Sequence, residues 1–139
     1  MVAAGLVATV LAAAACERAN PQPQGAAARG VVWRKLGAWS GHGSLQTESF
    51  TSETGALRVR WEARLPGPAA PPGPAVFRLN AHSAISGRLL EQVVDYSGVG
   101  KGLGYVNQDP HVFYLMVESD HLDWTLSVEE AIAGTVPGR

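Results

Sequence analysis

The alternation of apolar and charged residues in the segment Leu57–Arg64 (LRVRWEAR) constrains the fold of this chain more than any other feature. Apolar side chains occupy every second position, and charged side chains occupy the positions between them. A period of two places the apolar set on one face of a β-strand and the charged set on the other. A strand with one buried and one solvated face is typical of antiparallel sheets. The segment therefore predicts such a strand, with Arg58, Arg60 and Arg64 on its solvated face.

Seven further segments have the length and composition of strands. Residues 125–128 repeat the alternation, whereas residues 112–117 (VFYLMV) are apolar on both faces and predict a central strand. Turn signals rich in Gly, Ser, Asp and Pro separate the segments, and no convincing helical period occurs after residue 30. We therefore predict an all-β domain, an antiparallel β-sandwich of about seven or eight short strands, with a small barrel as the alternative. The other predicted strands are residues 31–39, 46–52, 76–81, 89–96 and 105–107.

Two of the four tryptophans, Trp61 and Trp124, fall in register with aliphatic neighbours, which predicts that they belong to the core. The pattern leaves Trp33 and Trp39 undetermined, and Tyr114 can face either the core or solvent. A sugar-stacking platform would expose its aromatic rings, so core positions for Trp61 and Trp124 argue against one built from them.

The charge and cysteine content exclude several classes of function. The 139 residues carry a net charge of −1, which argues against nucleic-acid binding because that requires a clearly basic surface. A single cysteine excludes an internal disulfide and a zinc site with two or more cysteine ligands. Residues 29–101 hold nine Lys/Arg against five Asp/Glu, and residues 102–139 hold one Arg against six acids. This asymmetry indicates either differently solvated strands or a docking surface with patches of opposite charge.

Residues 1–15 are apolar and uncharged, and charged residues begin directly after Cys16. A helix of about 15 residues is too short to cross a hydrocarbon core of about 30 Å. The length of this run and the small residues at its end are typical of a secretory signal, so we predict that the protein is exported.

The run Ala13-Ala14-Ala15-Cys16 resembles the lipobox of bacterial lipoproteins. That resemblance implies that the Cys16 thiol receives a diacylglycerol group, that the signal is cleaved before it, and that Cys16 becomes the N-terminus. Each buried CH₂ of such a group adds about 0.8 kcal/mol of membrane affinity. Two other interpretations stay open: ordinary secretory cleavage after Ala15, which would release a soluble protein, and an uncleaved Ala-rich helix.

Residues 17–30 (ERANPQPQGAAARG) lack large apolar residues and contain proline and glycine. They cannot bury enough surface to offset the entropy of ordering, which predicts a disordered tether. The predicted organisation is a signal peptide over residues 1–15, a lipid-anchored flexible tether over 16–30, a β-sandwich domain over 31–130 and a C-terminal tail over 131–139.

The glycine-rich segment 98–104 (GVGKGLG) is the most conspicuous candidate site. A phosphate-binding loop needs Ser or Thr after its lysine and then a helix, but Gly102 follows Lys101 and a strand-like segment comes next. Leu103 stands where a dinucleotide fingerprint requires its third glycine. Alternate glycines permit tight turns and bulges, so we predict a flexible loop, with anion binding through Lys101 as the alternative.

The four histidines show no metal-binding spacing such as H-E-x-x-H, so we predict no metal site and no cofactor. A hydrolase would need a nucleophile elbow such as G-x-S-x-G, which is absent. Ser83 and His82 are neighbours on an extended segment, and their side chains therefore point to opposite faces. The residues weighed for metal or acid–base chemistry are His42, His82, His111 and His121, with Asp95, Glu118 and Asp120.

These features predict an exported lipoprotein of the bacterial envelope, at a membrane or the cell surface, whose β-sandwich is a non-enzymatic binding or interaction module. Its expected partners are the membrane, through a lipidated Cys16, and an envelope protein or polysaccharide. The candidate ligand-binding residues are Arg58, Arg60, Arg64 and Lys101. Phospholipid headgroups are a further candidate partner for the arginine row.

Two alternative functions stay open. A small secreted hydrolase would use His82, Asp95 or His111, and a cleft that joins at least two of these side chains would favour it. A lipid- or carbohydrate-binding accessory module would present an exposed aromatic pair or an arginine patch on one flat face of the sandwich.

Overall fold

The computed structural model describes residues 28–68 and 75–136, so the predicted signal and Cys16 lie outside the described residues. Nine β-strands occupy this part of the chain, and none of its residues is helical. No helix that could cross a membrane occurs within it either. The strands are β1 (Ala28–His42), β2 (Leu45–Gln46), β3 (Phe50–Ser52), β4 (Ala56–Arg64), β5 (Val76–Ser83), β6 (Leu89–Ser97), β7 (Gly100–Asn107), β8 (His111–Ser119) and β9 (Asp123–Val136).

The strands form two sheets that pack against each other. Sheet A has the order β1-β9-β4-β7, and sheet B has the order β2-β8-β5-β6, with β3 also paired to β8. Every pairing is antiparallel. The structure thus confirms the predicted all-β antiparallel sandwich.

The strand count exceeds the prediction because the segment 46–52 is divided into β2 and β3. Thr47 lies between them, and its amide donates to the carbonyl of Leu115 at 2.9 Å. Its hydroxyl accepts the Leu115 amide at 2.9 Å and so replaces a backbone carbonyl in the ladder. The predicted β-sandwich domain covers residues 31–130. The pair of β1 and β9 extends beyond both of these bounds, because β1 begins at Ala28 and β9 ends at Val136.

The core lies between the sheets and includes both tryptophans predicted to be buried. Trp61 and Trp124 are 7% and 2% exposed, and Trp61 stacks on Phe77 with ring centroids 5.2 Å apart. Trp39 is half-buried and packs against Phe50 at 5.4 Å. The aliphatic core residues are Leu57, Val59, Leu79, Val94, Val106, Leu115, Val117, Leu122, Leu126 and Val128.

The prediction of a flexible loop at residues 98–104 is wrong, because Gly100, Gly102 and Gly104 belong to β7. A Cβ at Gly100 would lie 2.7 Å from the Tyr96 ring, and one at Gly104 would lie 2.5 Å from the Val93 side chain. The alternate glycines therefore let side chains of the core and of β6 pack directly on the β7 backbone. Within residues 98–104, only the turn residue Gly98 has the positive φ (98°) that a loop glycine is expected to show.

Candidate functional site

The outward-facing side of sheet A, called here the outer face, carries the charged residues of β4. Arg58, Arg60 and Arg64 alternate with buried apolar residues, so their side chains point away from the core. On the neighbouring edge strand β7, Lys101 pairs across the ladder with Glu62 and also faces outward. All four predicted ligand-binding residues therefore lie on one face of the sandwich.

An open depression of about 890 Å³, called here the outer basin, lies on this face. It brings together two of the predicted residues, Arg60 and Lys101, and adds Lys35 from β1. Arg58 and Arg64 are outside it. The residues that line the basin are Lys35, Ala38, Trp39, Ser40, Arg60, Trp61, Glu62, Lys101, Gly102, Leu103, Thr125, Leu126 and Ser127.

Lys35 was missed by the sequence analysis for a definite structural reason. The pairing of β1 with β9 shifts register between Lys35 and Gly37. The bulge inserts an extra residue into β1. Counting alternate positions along residues 31–39 therefore cannot show which side chains point outward on both sides of the bulge. The signal that could locate the bulge is Gly37, where a Cβ would lie 2.5 Å from the Trp39 ring.

Arg58 is held by two neighbours on the outer face. Its guanidinium carbon lies 4.2 Å from the centroid of the Trp33 ring, and it forms an ion pair with Glu129. The hydrogen bond from Arg58 lowers the pKa of Glu129 below its ordinary value; burial opposes this effect, and the nearby Arg60 adds to it. Arg60 lies 3.5 Å from the same carboxylate. Trp33 is therefore covered by a cation and is not offered as a bare aromatic platform.

The order of the strands in sheet A explains where the acidic and basic halves of the sequence meet. Three of the six acids of residues 102–139 lie on β9, which sits between β1 and β4 with their basic residues. Arg34 pairs with Glu130, Arg58 with Glu129, and His42 lies 2.7 Å from Asp123. The two halves of opposite charge interleave within sheet A instead of forming separate acidic and basic patches.

Glu130 forms a buried polar cluster that the sequence analysis did not anticipate. Its carboxylate accepts hydrogen bonds from the Ser52 hydroxyl at 2.7 Å, the Glu53 amide at 2.9 Å and Arg34 Nε at 3.0 Å. Burial raises the pKa of Glu130, but these hydrogen bonds outweigh burial and hold the pKa below its ordinary value. Arg34 also contacts Glu53 at 3.0 Å, so the cluster joins β1, β9 and the β3–β4 turn. All hydrogen-bond partners of the Glu130 carboxylate named here are groups of the domain itself, so we assign the cluster a structural role.

The residues considered for a hydrolase do not form one site. Ser83 Oγ lies 2.6 Å from His111 Nε2, but Ser83 is only 2% exposed. Its oxygen also accepts the amides of Ile85 and Ser86 at 3.2 and 3.1 Å, which makes it the anchor of a turn. A nucleophile must instead be open to its substrate.

The other hydrolase candidates are dispersed. His82 alternates with buried neighbours on β5 and stacks on Tyr114 with ring centroids 5.0 Å apart, on the outward side of sheet B. His111 contacts the buried side through Ser83. Asp95 forms an ion pair with Arg78 at 3.2 Å, and Arg78 lies four positions before His82 on β5. This dispersal argues against the hydrolase interpretation.

Metal-binding side chains do not cluster either. Within residues 28–68 and 75–136, no group of three or more His, Cys, Asp or Glu side chains is arranged to hold a metal ion. His42 and Asp123 form a two-residue contact at 2.7 Å.

Comparison with known proteins adds no family assignment. No protein-family model matches the chain, and no curated protein matches it significantly.

Proposed function

We propose that this chain is an exported, lipid-anchored envelope protein whose β-sandwich is a non-enzymatic binding module, with the outer basin as its binding site for an acidic partner. The observation that carries the proposal is the convergence of Lys35, Arg60 and Lys101 from three different strands on one depression. Three long cationic side chains around an open surface attract carboxylate or phosphate groups and steer them to the site.

The charges of the outer face leave a positive excess at the basin. Among the described residues, the outer face of sheet A carries five Lys or Arg side chains and three carboxylates. Glu129 is engaged by Arg58 and lies 3.5 Å from Arg60, and Asp123 is engaged by His42. Glu62 is the one carboxylate that lines the basin itself. Lys35, Arg64 and Lys101 have no ion-pair partner among the described residues, so these cations are available to a ligand.

The floor of the basin suits an oxygen-rich ligand. Ser40, Thr125 and Ser127 contribute small hydroxyl side chains that both donate and accept hydrogen bonds. Tryptophan faces that could stack on neutral sugars are not presented there, because Trp39 and Trp61 pack against core rings and Trp33 lies under Arg58. Recognition at this surface therefore depends on acidic groups, with hydroxyls in support.

A binding titration tests the basin. The chain from Glu17 to Arg139 contains every described strand, and it is titrated with polygalacturonate, a soluble carboxylate polymer, and with neutral dextran. We expect binding to polygalacturonate alone, weakening as salt is raised because exposed charges are screened. The double variant Arg60→Ala/Lys101→Ala is expected to bind at least about tenfold more weakly.

The matched control is Arg78→Ala/Arg88→Ala, which removes the same charge from sheet B and from the turn before β6. It is expected to bind polygalacturonate nearly as the unmodified chain does. Equal losses in both double variants would mean that net charge alone drives binding, and the basin would lose its role.

Anchoring is tested separately by mass spectrometry of the membrane fraction. Lipidation predicts an acylated N-terminal Cys16, and Cys16→Ala is expected to move the protein out of that fraction. A chain that begins after Ala15 and carries no acyl mass would overturn the anchor and leave ordinary secretion.

A further inference from the structure

We infer that the acidic partner of the outer face is the surface of an anionic phospholipid bilayer. This inference rests on the proposed function and narrows it to one partner. It draws on two features beyond the cationic basin: apolar side chains exposed beside the cations, and the length of chain that separates Cys16 from the domain.

The first feature is a row of exposed apolar residues along β7. Leu103 and Tyr105 are 46% and 56% exposed, and they share the outward side of β7 with Lys101. Val99, in the turn before β7, is 49% exposed. Single exposed apolar residues are ordinary on protein surfaces, but these three lie within seven residues on one edge of a cationic face.

This combination matches the boundary region of a bilayer. Tyrosine has an apolar ring and a polar tip, and it is enriched where acyl chains meet headgroups. Lysine places its apolar stem along the same boundary and its ammonium among the phosphates. A soluble acidic polymer in the basin would use Lys101 but would gain nothing from Val99 and Tyr105, which lie outside it. The exposed apolar row therefore favours a bilayer over a polymer.

The position of β7 makes this row accessible. β7 is an edge strand of sheet A, and three of its four inward positions are glycines, two of which allow β6 to lie close against it. Val106 is the one larger inward side chain, and Lys101, Leu103 and Tyr105 project from the outer side. With sheet A laid against a membrane, Lys35, Arg60 and Lys101 would face the phosphates while Leu103 and Tyr105 enter the headgroup layer.

The second feature is the reach of the chain. Eleven residues separate Cys16 from Ala28, where β1 of sheet A begins. At about 3.5 Å per residue they span at most roughly 40 Å. A domain anchored at Cys16 thus stays near the bilayer at high effective concentration, and a weak cationic face suffices to hold it there.

The test uses the chain from Glu17 to Arg139, which has neither the acyl group nor the apolar N-terminal run. Sedimentation measures its partition onto vesicles of phosphatidylcholine alone and of phosphatidylcholine with 30% phosphatidylglycerol. We expect binding only to the anionic vesicles. Each of Lys35→Ala, Arg60→Ala and Lys101→Ala is expected to lower the partition coefficient about fivefold.

The apolar row is tested by Val99→Ala/Tyr105→Ala, two residues that do not line the outer basin, with Ile85→Ala/Leu89→Ala as the control for exposed apolar residues outside sheet A. The first variant is expected to lose vesicle binding several-fold and to retain polygalacturonate binding, which also shows that it is folded. The control is expected to retain both.

The outcomes separate the two proposals. Binding to polygalacturonate without binding to anionic vesicles would overturn the bilayer inference and leave the proposed function standing. Failure to bind either would overturn both. Vesicle binding that is unchanged in Val99→Ala/Tyr105→Ala, or equal on neutral vesicles, would also overturn the inference.

Discussion

The carboxylate of Glu130 is completely buried, and it accepts a 2.7 Å hydrogen bond from the hydroxyl of Ser52, 78 residues away in the sequence. Glu130 lies on β9 of sheet A, and Ser52 ends β3 of sheet B. The bond therefore joins the two sheets at one open side of the sandwich. Arg34, on the edge strand β1, completes the contact as an ion pair.

Glu130→Ala is expected to destabilise the fold by about 2–4 kcal/mol, because it removes a charged acceptor and leaves the buried Ser52 hydroxyl and the Glu53 amide without their partner. Arg34 is half-exposed and can return to water, which keeps the loss below that of a fully buried pair. Urea denaturation measures the effect. Glu62→Ala on the outer face serves as the control and is expected to change stability by less than about 1 kcal/mol; similar losses in both variants would contradict the assignment.

The same carboxylate predicts sensitivity to acid. Since the folded state lowers the pKa of Glu130 below 4.5, the unfolded chain binds more protons in that range, and stability falls as the pH falls. The stabilisation is fully present above about pH 5 and is lost as the pH drops through the folded-state pKa. The difference in unfolding free energy between the unmodified chain and Glu130→Gln should therefore be largest near neutral pH and shrink below about pH 4. A difference that is constant from pH 3 to 7 would refute this explanation.

Gly104→Ala is expected to cost about 1–3 kcal/mol and to lower the melting temperature by roughly 5–15 °C. The new Cβ would lie 2.5 Å from the Val93 side chain and 3.0 Å from the Val93 carbonyl oxygen. The carbonyl oxygen is part of the backbone, so it can move away only if strand β6 shifts, which costs free energy. Gly67→Ala is the matched control, since nothing lies within 4 Å of its Cβ position. Calorimetry compares the two variants, and equal melting temperatures would mean that β6 can move away from β7.

Ser83 is expected to be inert toward fluorophosphonate reagents that label serine hydrolases, despite its 2.6 Å contact with His111. The hydroxyl is buried, and its oxygen is occupied by two backbone amides. Intact-mass analysis after incubation measures labelling, with a known serine hydrolase as the positive control. An adduct mapped to Ser83 would restore the hydrolase interpretation.

Two features of sheet A, the position of Lys35 and the glycines of β7, could not be predicted correctly from the sequence. Lys35 could not be assigned to the outer face because a bulge in β1 interrupts the alternation between residues 35 and 37. The glycines of β7 looked like a loop because a strand rich in glycine lacks the side chains by which a strand is recognised. Their role depends on Tyr96 and Val93, which contact them from β6.

The sequence by itself determined the all-β class, the buried and solvated faces of β4 and the core positions of Trp61 and Trp124, because a period of two is a local property of the chain. Tertiary structure alone decided which charges meet. Strand order places β9 between β1 and β4, so Glu129 and Glu130 reach arginines 71 and 96 residues away. The same order gathers Lys35, Arg60 and Lys101 around one basin. Pairing between distant strands depends on register and on packing of the two sheets, and neither is encoded in a local pattern.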